Sequence, residues 1–421
     1  MKSTRLVSYV GLFATLFAAA LVHGPCHADS EDAAWERHVI DQGLSGGDGV
    51  RLSDADKDGD LDIVVGWEQS GVSRLYLNPG PDAATQRWPF IDCGPASGVE
   101  DAVMADIDGD GRVDVVSSTE GQTKRMFVHF APKDGAFTDS SRWTTLAFPP
   151  SVTGERRWMF ALPLDVNRDG HLDIVAAGKD TDAVIGWLEA PTTNKRDLST
   201  WRLHEMGGIG WAMSLIAHDM DSDGDSDIVV TDRRTGAGLQ GARWLENPGA
   251  NSPRQRGPWP NHFIGSAGDE VMFMALHDMD GDGDSDAVVP SRDPNALRWF
   301  ERMDRSGTQW ATHAITYPEN VGTAKGVKVA DVNHDGQLDV ILSHGNAISP
   351  LLGLVWLEYT GSVSDPVWVI HPLSDAEGSK FDRIETVDLD GDGDLDVLTT
   401  EEDAGEDSLG LGLIWYENPE R

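Results

Sequence analysis

A nine-residue acidic phrase, Asp-x-Asp/Asn-x-Asp-Gly-x-x-Asp, recurs seven times in this chain and restricts it to a few repeat architectures. The copies begin at Asp54, Asp106, Asp165, Asp219, Asp278, Asp331 and Asp388, at spacings of 52, 59, 54, 59, 53 and 57 residues. Each follows a short apolar run such as Val50-Arg51-Leu52 and leads into another such as Ile63-Val64-Val65 or Ile228-Val229-Val230. β-Branched runs of this kind read as two strands joined by an acidic hairpin.

Two further strand motifs complete the repeat. One is Trp-Leu/Tyr-Glu-Asn-Pro, at Trp244 to Pro248 and Trp415 to Pro419. The other is Trp-x-x-His-x-Ile, at Trp35 to Ile40, Trp259 to Ile264 and Trp310 to Ile315. Four strands in about 55 residues is the size of a propeller blade. Stacked parallel coils use shorter repeats, and helical solenoids would show a 3.6-residue period. The last repeat stops after its third strand, while the chain carries a spare outer strand at Trp35 to Ile40. The expectation is an all-β, seven-bladed β-propeller with four strands per blade, closed when the N-terminal strand joins the last blade. Closure leaves no bare sheet edge.

The acidic loops have the chemistry of calcium sites. Calcium takes six to eight oxygen ligands, several of them carboxylates. Positions 1, 3, 5 and 9 supply side chains, position 7 a carbonyl, and the glycine at position 6 allows the sharp turn. The first loop offers Asp54, Asp56, Asp58, Asp60 and Asp62, and the second Asp106, Asp108, Asp110 and Asp114. The third offers Asp165, Asn167, Asp169 and Asp173, and the fourth Asp219, Asp221, Asp223, Asp225 and Asp227. The fifth has Asp278, Asp280, Asp282, Asp284 and Asp286, and the sixth Asp331, Asn333, Asp335 and Asp339. The seventh has Asp388, Asp390, Asp392, Asp394 and Asp396. Plain Asp-Gly turns do not need four carboxylates at fixed offsets. EF-hands need Glu at position 12 and an exiting helix, whereas position 12 here is a strand residue such as Val65 or Val230. These loops hold 30 of the 71 acidic residues, so about seven structural calcium ions would relieve much of the repulsion.

Charge excludes some partners. The formal net charge is −38, which argues against nucleic acid and anionic membranes. The 15 Trp and 39% hydrophobic content separate this acidic chain from disordered ones. Lys2 and Arg5, an apolar run over 7–22 and Cys26-His27-Ala28 read as a secretory signal, residues 1–28, followed by one domain over 29–421, the alternative being an uncleaved N-terminal membrane anchor. Losing Lys2 and Arg5 takes −38 to −40. The expected location is extracellular or periplasmic, with no membrane insertion after cleavage. Cys93 is then the single cysteine, so no internal disulfide holds the fold.

The acidic phrase between two strands resembles FG-GAP and VCBS-type repeats, including the calcium hairpins of integrin α-subunit propellers. Phe-Gly and Gly-Ala-Pro signatures are missing, which fits the VCBS-like branch better. The two Trp motifs are similar to the propeller part of aldos-2-ulose dehydratase, a sugar lyase, and several polysaccharide lyases also use calcium propellers. The resemblance implies the propeller fold and calcium, and leaves function to the site.

Residues that break the repeat are the candidates for function. Twelve of the tryptophans lead an outer strand or lie on a third strand and read as packing. Trp67, Trp158 and Trp211 remain. His38, His204, His262, His313 and His371 recur three places after an outer-strand Trp and read as packing or hydrogen-bonding groups, whereas His344 does not recur. Loops opposite the hairpins carry Arg157, Trp158, Lys179, Trp211, Arg233, Arg234, Glu270, Arg292, Lys325 and His344. Arginine and lysine beside aromatic rings suit a sugar bearing carboxylates or phosphates. The expectation is a module binding a glycan or an extracellular protein at that face. The alternative is a carbohydrate lyase or dehydratase with His344 or Lys325 as base. No G-x-S-x-G, phosphate-loop or zinc motif is present.

Overall fold

The computed structural model describes residues 34–234, 239–361, 366–402 and 410–419, so the expected signal segment lies outside the described residues. Twenty-eight strands form seven antiparallel sheets of four. Each acidic phrase joins the inner strand of a blade to its second strand, as from Gly47–Ser53 to Asp62–Trp67 in blade 1. Inner strands of neighbouring blades touch from blade 1 to blade 4 and from blade 5 round to blade 7, and that of blade 7 (Phe381–Val387) touches that of blade 1. Blades 4 and 5 are joined where the Met274 N–H donates to Ser214 Oγ at 2.8 Å. The chain is a closed seven-bladed propeller. No helix among the described residues is long and apolar enough to cross a membrane.

The ring closes as its ends require. Glu36–Asp41 pairs with Gly412–Glu417, setting His38 opposite Trp415 and Val39 opposite Ile414. Trp35 and Ile40 are buried beside blade 7. Apolar residues of neighbouring blades meet in shared clusters. One joins Val64, Leu75, Ile91 and Cys93 of blade 1 to Ala102, Val115 and Trp143 of blade 2. Burial pushes the Cys93 thiol far above its ordinary value, which makes it a packing group.

The recurrent Trp and His residues form one unit in blades 3 to 7. His38, His204, His262, His313 and His371 lie against Trp415, Trp187, Trp244, Trp299 and Trp356 at 4.3–4.8 Å between ring centroids. Each Nε2 donates to the glutamate two residues beyond that Trp, as His262 to Glu246 at 2.8 Å. Blades 1 and 2 replace the unit with Leu75, Ile91 and Leu77, and with Val128, Leu146 and Phe130.

Removing the chain before Gly47 should bare the strand Gly412–Glu417. It also forfeits burial of Trp35 and Ile40, about 1.5–3 kcal/mol for a side chain of this kind. We expect a lower melting temperature and concentration-dependent self-association by sedimentation. A truncated chain that stays monomeric and melts unchanged would show that closure contributes nothing.

Candidate functional site

Two ends of each hairpin matter, and the same aspartate organises both. The carboxylate at position 9 is buried in every blade. Its Oδ2 accepts the N–H of position 2, from Ala55 to Asp62 at 2.7 Å through Leu389 to Asp396 at 2.8 Å. Its Oδ1 accepts the N–H at the end of the third strand, from Asn78 to Asp62 at 2.9 Å through Asn418 to Asp396 at 3.0 Å. Position 9 is therefore a latch between hairpin and third strand, a role the sequence reading had not given it.

The rest of the loop turns its oxygens inward. Asp219 accepts from the N–H groups of Asp223 and Gly224 at 3.1 and 3.0 Å, and Asp221 from Asp223 at 3.1 Å. Position 6 lies in the left-handed region, as expected of its glycine, with φ of 93° at Gly224. Position 4 lies there too, even where it is Lys57, Arg168, Ser222 or His334. Such residues resist that conformation by roughly 1–2 kcal/mol, so the loop's hydrogen bonds must hold it.

The residues fit a divalent cation. Carboxylate oxygens of Asp54, Asp56 and Asp58 converge to within 4.8 Å of one another, as do those of Asp106, Asp108 and Asp114, and of Asp219, Asp221 and Asp227. Buried oxygens of Asp54, Asp284 and Asp394 have no hydrogen-bond partner. Burial pushes the position-9 carboxyls to about 6 at Asp62, Asp286 and Asp339, about 7 at Asp173, Asp227 and Asp396, and about 8 at Asp114. A nearby positive charge is what would keep such groups ionised. Blade 2 has cations at positions 3 and 5, where Arg196 reaches Asp108 and Asp110 and Lys133 approaches Asp108 at 3.5 Å, yet its Asp114 stays the highest of the seven. Against burial, these cations hold Asp108 below its ordinary value.

At the opposite end of the channel a cavity of about 270 Å3 opens. The residue six places after each position-9 aspartate lines it in all seven blades: Glu68, Glu120, Lys179, Arg233, Arg292, Gly345 and Glu402. Six residues of strand put this mouth roughly 20 Å from the hairpins. The residue six places before each phrase is Asp48, Glu100, Met159, Met213, Met272, Lys325 or Asp382. All but Met159 and Asp382 line the same cavity. Blades 7, 1 and 2 are thus acidic at both positions. Blades 3, 4 and 5 pair methionine with a cation.

Of the residues expected here, the cavity gathers Lys179, Trp211, Arg233, Arg292 and Lys325. Cationic groups of Lys179, Arg233 and Arg234 lie 4.3, 4.6 and 4.7 Å from the centroid of the half-buried Trp211 ring. Trp211 therefore holds cations in place. Glu270 anchors them, accepting from Arg233 at 2.6 Å and Arg234 at 3.4 Å. Lys179 is ion-paired with Glu120. Arg157 lies away from the cavity and pairs with Asp180 at 2.6 Å.

Three placements need correction. Trp158 is 0% exposed, within the core between blades 2 and 3. Trp67 is likewise core, between blades 7 and 1. His344 is 0% exposed, its Nδ1 donating to the Gly353 carbonyl at 3.2 Å and its ring edge-on to Tyr317. Burial pulls it down to about 4. The cause is strand alternation: His344 sits five places after Asp339, so Gly345 faces the cavity instead. Lys325 contacts Asp382 and lies 2.5 Å from Glu402. Burial alone would discharge it, but Asp382, Asp48 and Glu100 hold its ammonium above the ordinary lysine value. His344 is thus shut off from the cavity, and Lys325 faces it already engaged by two carboxylates. Asp48, Glu68, Glu120 and Glu402 had escaped the sequence reading, although counting six residues from each hairpin finds them.

Position 9 and position 5 should behave differently on substitution. Asp227→Asn leaves one buried N–H facing an amide, at a cost of about 1–3 kcal/mol with chelator present. Asp223→Asn should cost little in chelator and lower the melting temperature only when calcium is supplied. Equal losses at both positions under both conditions would contradict the division between latch and cation site.

Among solved structures, the chain is similar to BBS1N in its crystal structure in complex with ARL6DN. The TM-score is 0.50 at 10% identity, covering 92% of this chain and 96% of that one. It is also similar to a chain of the S. cerevisiae core factor, at TM-score 0.51 and 11% identity, covering 92% of this chain and 61% of that one. At these identities the likeness concerns the fold alone. No curated protein matches the sequence. The model of the FG-GAP-like repeat matches residues 54–117, 165–230 and 241–342, more than half of the 421. With the seven latched hairpins and the closed ring, that match establishes that the chain belongs to the FG-GAP-like repeat family.

Proposed function

We propose that this propeller is an exported, calcium-loaded binding module that takes one charged unit of an extracellular glycan at the channel mouth. One observation carries the reading. A single repeat position lines one cavity in all seven blades, yet its chemistry runs from Glu through Lys and Arg to Gly. A position serving the scaffold stays uniform, as position 9 does. The cavity is slightly smaller than the ~300–1,000 Å3 of most small-molecule sites, which suits a single sugar unit. Its cations are held by Trp211 and Glu270 in a form suited to carboxylate or phosphate.

The test is a glycan array run beside a panel of extracellular proteins, using the native chain and Arg233→Ala. We expect acidic glycans to bind and the variant to weaken binding about tenfold or more at unchanged melting temperature. Proteins binding in place of glycans would change the partner; ligands indifferent to the variant would remove the mouth.

Export rests on Lys2, Arg5, the apolar run over 7–22 and Ala28. Calcium rests on the converging hairpin carboxylates. Extracellular modules bind it at about 10⁻⁴–10⁻³ M, a range filled outside the cytoplasm. Chelation should lower the melting temperature. Above pH 3.8 the unfolded chain releases protons that the folded, metal-free chain retains on its position-9 carboxyls. Stability in chelator should therefore fall as pH rises from about 4 towards 8, and calcium should flatten that slope. Melting curves with the same slope in chelator and in calcium would contradict the calcium reading.

A second reading, lyase chemistry on a sugar, keeps one specific support. Burial pushes Glu100 at the mouth to about 7, where a carboxylate can exchange protons at neutral pH. New absorbance from unsaturated products, lost in Glu100→Gln, would favour it.

A further inference from the structure

The mouth's charges are not evenly satisfied, and what remains unpaired has a direction. Lys179 is matched by Glu120, while the single carboxylate of Glu270 is shared between Arg233 and Arg234. Lys325 is matched by Asp382 and Glu402. Among the described residues, four lining groups have no ion pair, Asp48, Glu68, Glu100 and Arg292, and of these Glu68 accepts a hydrogen bond from Gln69. Asp48 is 9% exposed, and its Oδ2 is buried without a hydrogen-bond partner. Asp48 and Glu100 come from adjacent blades 1 and 2, whereas Arg292 belongs to blade 5. Carboxylates that reach Lys325 only at longer range therefore stand on one side of the mouth, and a guanidinium without a close ion pair stands across it.

We propose that the ligand unit is a zwitterion, with an ammonium group seated against Asp48 and Glu100 and a carboxylate or phosphate against Arg292. This rests on the mouth reading above and names the ligand class for it. A purely anionic sugar satisfies Arg292 and leaves Asp48 buried and unpaired. A purely cationic one does the reverse. Only a unit bearing both charges removes both unpaired groups, and a buried unpaired polar group is the most expensive kind to leave. Methionines at the inner position of blades 4 and 5, Met213 and Met272, give the basic side an adaptable apolar lining for a ring.

Matched probes test this. Muramic acid carries an amine and a carboxylate on one sugar, N-acetylmuramic acid only the carboxylate, and glucosamine only the amine. Isothermal titration at low salt should find muramic acid bound at least tenfold more tightly than either relative. Asp48→Asn should reduce it to the level of N-acetylmuramic acid, and Arg292→Gln to that of glucosamine, with melting temperatures confirming that both variants fold. Should a variant fail to fold, the comparison of the three probes on the native chain decides alone. Equal binding of muramic and N-acetylmuramic acids, indifferent to Asp48→Asn, overturns the zwitterion and leaves the mouth as an anion site. If none of the three binds and array ligands ignore Arg233→Ala, the mouth reading fails with it.

Discussion

Seven buried carboxylates, each accepting two backbone N–H groups, tie every hairpin to the third strand of its own blade. A hydrogen bond to a neutral acceptor contributes roughly 0.5–1.5 kcal/mol and one to a charged acceptor roughly 1.5–3, so the latch is strongest where the carboxyl is ionised. The latch also fixes register. With the aspartate anchored at one end of the second strand, the residue six places on must emerge at the other end. Cavity geometry is thus set by a contact roughly 20 Å away. The hairpin and the mouth belong to one device, in which repetition at one end allows variation at the other.

That division explains how a chain with so many like charges holds together. The acidic residues gather where loop amides and, in our reading, calcium offset them. Blade 2 manages its hairpin differently, with Arg196 and Lys133 against Asp108. At the mouth the same economy runs through ion pairs and the ring of Trp211, so cations cluster without an apolar penalty. What distinguishes the blades is chemistry at two repeat positions, while strand number and hydrogen bonding stay constant.

The fold was legible because each of its elements repeats. Asp54 and its six counterparts, the paired runs around them, and the spare strand at Trp35 specify blade number and closure without reference to distant contacts. The mouth was half legible. Lys179, Arg233 and Arg292 stood out as cations in an acidic chain, but Glu68, Glu120 and Glu402 looked like more of the same acid. Trp158 and His344 stood out for breaking the repeat and proved to be core. Irregularity marks a residue as free of the repeat, and does not say whether it faces solvent or a neighbouring blade.

By itself, then, the sequence determined the seven blades, their order and the join between the chain's ends, because strand period and hairpin chemistry are local properties. It also determined which residue types stand at each repeat position. Only the tertiary structure decided which of those positions look into the cavity, since a shift of one residue along a strand turns a side chain from the channel mouth to a blade interface. That single step separates Gly345 from His344. It was likewise the closed ring, through pairings such as Lys325 with Glu402 and Lys179 with Glu120, that settled which charges are matched within the protein and which remain to meet a ligand.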